Sequence, residues 1–297
     1  LIEPEALKIA SAFQHTPPQQ LSFYEQDDTI IVHRGYFGLP FIDVTVNGTQ
    51  QRFLLDTGAS ETILSSDIAE QCSAFPIDTS AIRGKSTTQD HLAAHPTIID
   101  SISIGRLTVK NHTAIILDKE ALSFKLLGIF PMFRIHGIIG WRLLKQIDLT
   151  LDYDRRTLTI RDPKNTKTTG SILLSLGKPY VLATTDTGIP LMFFWDSGAQ
   201  SSSLTPTGVE KLHNARRDMT LSSRWGAGGS TLQVVPTIKD VTVLLSACAL
   251  HFRNMKMIPN RDPLLTYDGI LGNDIARKGV IRANAINGTL HYFLRSE

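Results

Sequence analysis

The chain contains one plan twice, and that repetition limits what it can fold into more than any other feature. The first copy opens with Phe41-Ile42-Asp43-Val44-Thr45-Val46 and the turn pair Asn47-Gly48. It continues through Arg52-Phe53-Leu54-Leu55 into Asp56-Thr57-Gly58-Ala59-Ser60. The second opens with Tyr180-Val181-Leu182-Ala183-Thr184-Thr185, turns over 186–188, and runs through Leu191-Met192-Phe193-Phe194-Trp195 into Asp196-Ser197-Gly198-Ala199-Gln200. Each copy then offers one short stretch that reads as a helix, 65–71 and 206–212. Each closes on a small apolar motif, Gly137-Ile138-Ile139-Gly140-Trp141 and Gly269-Ile270-Leu271-Gly272-Asn273, followed by a hairpin-like tail. Asp56 and Asp196 stand 140 residues apart and Gly140 and Gly272 stand 132 apart, so the copies differ by one short loop. Self-similarity of this kind marks a duplicated structural unit. Short β-branched and aromatic runs between turn formers outweigh any helical period, so the chain reads as mainly β.

The repeat sets the expected organisation: a first lobe over 31–161 with Asp56, a polar linker over 162–170, and a second lobe over 171–297 with Asp196. Residues 1–30 have no counterpart in the second copy. They read as a leader remnant, an added strand or a regulatory segment, and Pro17-Pro18 argues against one continuous helix there. With 297 residues and 42% hydrophobic content, two packed units are within reach. Lys and Arg total 30 against 28 Asp and Glu, a net charge of +2. That balance gives no footprint for nucleic acid or an anionic membrane. No stretch approaches the roughly 20 apolar residues that span a bilayer, so no transmembrane segment is expected. Cys72 and Cys248 allow one bridge at most.

A carboxyl placed directly after Leu54-Leu55, or after Phe194-Trp195, sits where burial is costly. The glycine two positions later permits close backbone approach, and the hydroxyl between them can bond to backbone across an interface. One Asp-x-Gly is a common turn. Two at matching places in a repeat, each behind an apolar strand, point to one shared site. Asp56-Thr57-Gly58-Ala59-Ser60, Asp196-Ser197-Gly198-Ala199 and the closures Ile138-Ile139-Gly140 and Ile270-Leu271-Gly272 resemble the pepsin and retroviral-protease family of aspartic peptidases. The resemblance covers most of 31–297. It implies a bilobal acid-protease fold of two retropepsin-like β-barrel lobes, each supplying one catalytic aspartate. The closing segments, with Ile139, Gly140, Leu271 and Gly272, would thread beneath the aspartate loops. Thr57 and Ser197 would brace the two loops, with Gly58, Ala59, Gly198 and Ala199 completing them. Thr62 and Ser202, each six residues after its aspartate, match a supporting hydroxyl position.

Two carboxyls held this close cannot both ionise, so one keeps a proton while the other activates a shared water. The resemblance therefore implies an endopeptidase acting on peptides or protein loops with no metal or cofactor, as a monomer that is an internal pseudo-dimer. A periplasmic or secreted address is expected from the peptidase chemistry and the opening Leu1. The alternative is a silent peptide-binding or inhibitory module on the same fold. Pepsin-like enzymes carry Ser or Thr where Ala59 and Ala199 stand, so the pair is expected to be less acidic than pepsin's. The chain departs from pepsin in flap and disulfide pattern, and Gln200 replaces a smaller residue.

Candidate flaps are 83–89, with Lys85 and Ser86, and 223–230, with Trp225, Gly226 and Gly228. An ordinary exposed hairpin is the competing reading of the second. Gly84-Lys85-Ser86 is similar to a phosphate-binding loop but has Thr79 where the first glycine belongs. His91 and His95 have a spacing that can hold a metal on a helix, but the segment reads as strand. His136 and the apolar run 128–133 read as packing before subsite. Asn47, Asn111 and Asn287 fit glycosylation acceptor patterns, which hairpin turns explain as well.

Overall fold

A computed structural model describes residues 11–77, 82–84, 92–126, 130–165, 170–212, 216–226, 229–260, 262 and 265–295. The described chain is mainly β, with short helices at Ser66–Gln71, Trp141–Leu144 and Pro206–Glu210. In the first half, strand Pro40–Val46 turns at Asn47-Gly48 and pairs antiparallel with Thr49–Leu55. Asn47 and Gly48 both hold positive φ, at 46° and 84°, the backbone that a two-residue hairpin requires. The Asn47 side chain is also spent inside the fold, donating to the Cys72 carbonyl and accepting from the Ser101 N–H, both at 3.0 Å. The turn reading of Asn47 therefore stands.

The same pattern recurs in the second half, where Pro179–Thr185 pairs antiparallel with Pro190–Trp195. Along Thr49–Leu55, polar Gln50 and Arg52 face outward before Phe53, Leu54 and Leu55 become buried in succession. Such a switch from alternating to continuous burial means that the strand has entered a sheet covered on both faces. Phe193, Phe194 and Trp195 repeat it.

Beneath both halves runs one six-stranded antiparallel sheet. Its order is Asp28–Arg34, Thr157–Arg161, Asp148–Asp152, Gly279–Asn284, Thr289–Leu294, Ser171–Ser175. The tails after both closing motifs thus pair with each other. Asp148, fully buried at this junction, accepts from the Arg282 guanidinium at 3.1 and 3.0 Å and from Asn284 Nδ2 at 3.2 Å. A buried carboxylate keeps its charge only with such pairing. One apolar core runs through both halves, with Trp141, Trp195, Tyr153 and Tyr292 among its largest side chains. Trp141 of the first half meets Trp195 of the second edge-on, ring centres 6.1 Å apart. Residues 12–22 lie along the first half, where Gln20–Ser22 adds a short strand to Leu107–Leu117.

Cys72 is buried in the first half and Cys248 lies in strand Cys248–Phe252 of the second; both are free thiols. The single bridge that two cysteines allow is therefore not formed. Pro163–Asn165 of the expected linker forms one 3-10 turn, and 166–169 lie outside the described residues.

Candidate active site

Strand Thr49–Leu55 delivers Asp56 and strand Pro190–Trp195 delivers Asp196. Each receives a closing strand in parallel: Gly137–Ile139 beside the first, Gly269–Leu271 beside the second. The Asp56 N–H donates to the Ile139 carbonyl at 3.1 Å, and the Asp196 N–H donates to Leu271 at 2.9 Å. On the far side, the N–H groups of Trp141 and Asn273 donate to Ala59 and Ala199, each at 2.7 Å. Both aspartate loops are thus held at two points. Gly140 and Gly272 make that approach possible, because a Cβ would stand 2.1 Å from the Glu61 oxygen and 2.5 Å from the Ser201 carbonyl carbon.

The loops also hold each other. Thr57 Oγ1 accepts from the Ser197 N–H at 2.9 Å and donates to the Trp195 carbonyl at 2.8 Å. Ser197 Oγ accepts from the Thr57 N–H at 2.9 Å and donates to the Leu55 carbonyl at 2.8 Å. Both hydroxyls are buried, so these reciprocal bonds are shielded from water.

Above this brace each carboxyl lies against the glycine of the opposite loop, Asp56 beside Gly198 and Asp196 beside Gly58. Asp56 Oδ1 also accepts from the N–H groups of Gly58 and Ala59 at 2.8 and 3.2 Å. Asp196 Oδ1 accepts from Gly198 and Ala199 at 2.9 and 3.0 Å. Burial raises both pKa values above the ordinary 3.8, against the pull of these amides. The neighbouring Asp56 charge pushes Asp196 further, well above that value. Enclosure and mutual proximity therefore make the pair less acidic here.

Gly58 and Gly198 are required for this contact. A Cβ on Gly198 would lie 2.5 Å from the Asp56 carboxyl carbon, and one on Gly58 would lie 2.4 Å from that of Asp196. Gly198→Ala should push the carboxyls apart by about an ångström and cost about 100-fold in any reaction that uses both. Steady-state kinetics beside far-UV circular dichroism checks this; full activity in a folded variant would contradict it.

Ser202 Oγ donates to Asp274 at 2.6 Å and accepts from the Gly272 N–H at 3.0 Å. Thr62 instead bonds to His112 at 2.8 Å. His112, Arg142, Glu61 and Asp274 went unnoticed in the sequence. His112 stood inside an Asn-x-Thr pattern, and its apolar strand context was the available signal. The flap candidates fall differently. Strands Arg217–Gly226 and Gly229–Ile238 form a long hairpin, closing with the pairs Trp225–Ser230 and Gly226–Gly229. Its second strand touches Ser123–Leu126 of the first half. Gly228, Lys85, Ser86 and His91 lie outside the described residues. His95 sits on strand Leu92–Ile104, not on a helix. Among the described residues, no group of three His, Cys, Asp or Glu side chains could hold a metal ion. His136 is half-buried with its pKa lowered by burial, and Phe133 stacks on Phe124 in the core and on the exposed Tyr36 ring. No helix among the described residues is long and apolar enough to cross a membrane.

Among the described residues the strands around these loops join into one closed-barrel network with few helices, an architecture that suits a β-barrel aspartic protease fold. The family described as gag-polyprotein putative aspartyl protease matches residues 42–131, which include Asp56 and its loop. That match links the stretch bearing Asp56 to aspartyl proteases of the retropepsin type. A retropepsin-like aspartic protease from Rickettsia conorii is similar in structure, at 20% identity, covering 48% of this chain and 92% of its own, with a TM-score of 0.32. No curated protein matches the chain. The family match supports a protease function in general terms.

Proposed function

We propose that the chain is a bilobal aspartic endopeptidase whose Asp56 and Asp196 together activate one water against a peptide bond. The observation that carries this reading is that each carboxyl lies against the glycine of the opposite loop, on matching loops of the repeat cross-braced by Thr57 and Ser197. Like charges this close share one proton. The ionised carboxyl takes a proton from the water as it attacks the carbonyl carbon. The neutral one donates to the carbonyl oxygen and stabilises the tetrahedral intermediate. The proton then passes to the departing nitrogen, and the pair returns to its singly protonated state. No metal or cofactor enters this scheme. A substrate strand would lie extended between the lobes, with its side chains in apolar pockets. The Arg217–Gly226 and Gly229–Ile238 hairpin is the candidate lid, since it belongs to one half and touches the other. One chain supplies both loops, which supports a monomeric, internally pseudo-dimeric enzyme.

Profiling wild type against a peptide library tests the reading. Cleavage is expected, with kcat/KM extending from mildly acidic toward neutral pH. The sign follows from the raised pKa values: the shared proton is retained to higher pH, so the alkaline limb moves upward. Activity lost by about pH 4.7, the upper value of pepsin's pair, would contradict the pH expectation. Binding without cleavage at any pH would replace the peptidase reading with a binding module.

A further inference from the structure

The two aspartate loops are supported by different means, and the difference leads into the N-terminal segment. In the second half, Asp274 holds Ser202 through both its N–H and its hydroxyl, within one local turn after the closing motif. The first half has Arg142 at the corresponding place. Its guanidinium pairs with the Glu61 carboxylate, and its N–H donates to the Ser60 carbonyl at 3.0 Å. An arginine cannot accept a bond from Thr62. His112 accepts it instead, from a fully buried position on strand Leu107–Leu117.

The direction of every bond in this chain is fixed from one end. The Arg142 carbonyl can only accept, so Gln146 Nε2 donates to it, at 2.7 Å. That leaves Gln146 Oε1 to accept from Gln19 Nε2 at 3.1 Å. Gln19 Oε1 must then accept from His112 Nδ1–H at 2.8 Å. His112 Nε2 is left as a bare acceptor for the Thr62 hydroxyl at 2.8 Å. Burial drives the His112 pKa down to about 3, so the neutral ring with one donor and one acceptor persists. Gln19 is seated by its own segment. Gln20–Ser22 pairs with Leu107–Leu117, Asn111 Nδ2 donates to the Pro18 carbonyl at 3.2 Å, and the Phe13 ring lies under the Arg142 guanidinium.

We propose that Gln19 and His112 are positioning residues for the Asp56 loop, so that the N-terminal segment supplies in the first half the brace that Asp274 supplies in the second. The circuit Thr62, His112, Gln19, Gln146, Arg142, Glu61 closes around the exit of that loop. Gln19 is its one member from outside the repeated unit. The inference rests on the peptidase reading only for its kinetic consequence.

The test compares Gln19→Ala, Gln19→Glu and the neighbouring control Gln20→Ala in the full chain. Gln19→Ala is expected to lower kcat about tenfold with KM nearly unchanged, because it misplaces one carboxyl rather than a substrate contact. Gln19→Glu keeps an acceptor for His112 Nδ1–H and should recover most of the loss. Two readouts are independent of turnover. The slowly exchanging His112 Nδ1–H resonance should vanish in Gln19→Ala and persist in Gln19→Glu. The carbon-13 carboxyl titration of Asp56 and Asp196 should move in Gln19→Ala and stay put in Gln20→Ala. Should Gln19→Ala unfold, Gln19→Met preserves length and carries the same comparison. A folded variant lacking the acceptor, with unchanged carboxyl titration, would overturn the inference. Absence of cleavage by wild type would overturn the peptidase reading and leave the titration to decide this one.

Discussion

Asp56→Asn and Asp196→Asn should each reduce peptide hydrolysis by about 10²–10⁴-fold, the range of a lost general acid–base function. Neither loss should be rescued by pH, because an amide can neither take the proton of the water nor give one to the carbonyl oxygen. The same substitutions should leave the fold intact and at neutral pH stabilise it. Both folded-state pKa values lie above the ordinary 3.8, so the folded protein holds protons that the unfolded chain has released. Stability is therefore lost as pH rises from about 3.8 through the folded values of the pair. Below that window both states are protonated and the pair costs nothing. Thermal melts of wild type and Asp196→Asn should diverge at pH 7, with the variant higher, and converge near about pH 3. Cleavage near the wild-type rate by either variant would rule out a shared-carboxyl mechanism. Melts that differ equally at both pH values would rule out the burial account of the raised pKa.

Removing the cross-brace should be the most costly change to stability. Thr57→Val strands the Ser197 N–H and the Trp195 carbonyl, and Ser197→Ala strands the Thr57 N–H and the Leu55 carbonyl. A buried group left without its partner costs about 1–3 kcal/mol, so each variant should lose about 2–5 kcal/mol. The two hydroxyls serve different backbone groups but hold one interface. A double-mutant cycle by urea unfolding should therefore give a coupling energy of about 1 kcal/mol or more. Activity should fall with stability, since the brace also fixes the distance between the carboxyls. Single-variant losses below about 0.5 kcal/mol, the scale of ordinary surface changes, would show that the brace is dispensable.

The strands leading to Asp56 and Asp196 were legible because local chemistry specifies them. Phe53-Leu54-Leu55 and Phe193-Phe194-Trp195 are too apolar for anything but a doubly covered strand, and Asn47-Gly48 admits few turns. The closing motifs were legible because the repeat displayed them twice. His112 and Gln19 were not, because the bond between them joins positions 93 residues apart and neither residue type announces a partner. Glu61 and Arg142, 81 residues apart, were hidden for the same reason. Enclosure and the opposite carboxyl, which raise the pKa of the pair, exist only once both loops have met.

The sequence by itself determined that there are two equivalent aspartate loops, what strand precedes each, and which glycines must stay bare. Those are properties of short segments, set by periodicity, turn conformation and the cost of a side chain. Only the tertiary structure decided which backbone groups the two loops exchange across their boundary and that the tails merge into one six-stranded sheet. It also decided that Gln19 of the N-terminal segment meets His112 behind the first loop. Each of these depends on strand register across the whole chain, where one hydrogen-bonded pairing excludes its competitors only after the core has closed around it.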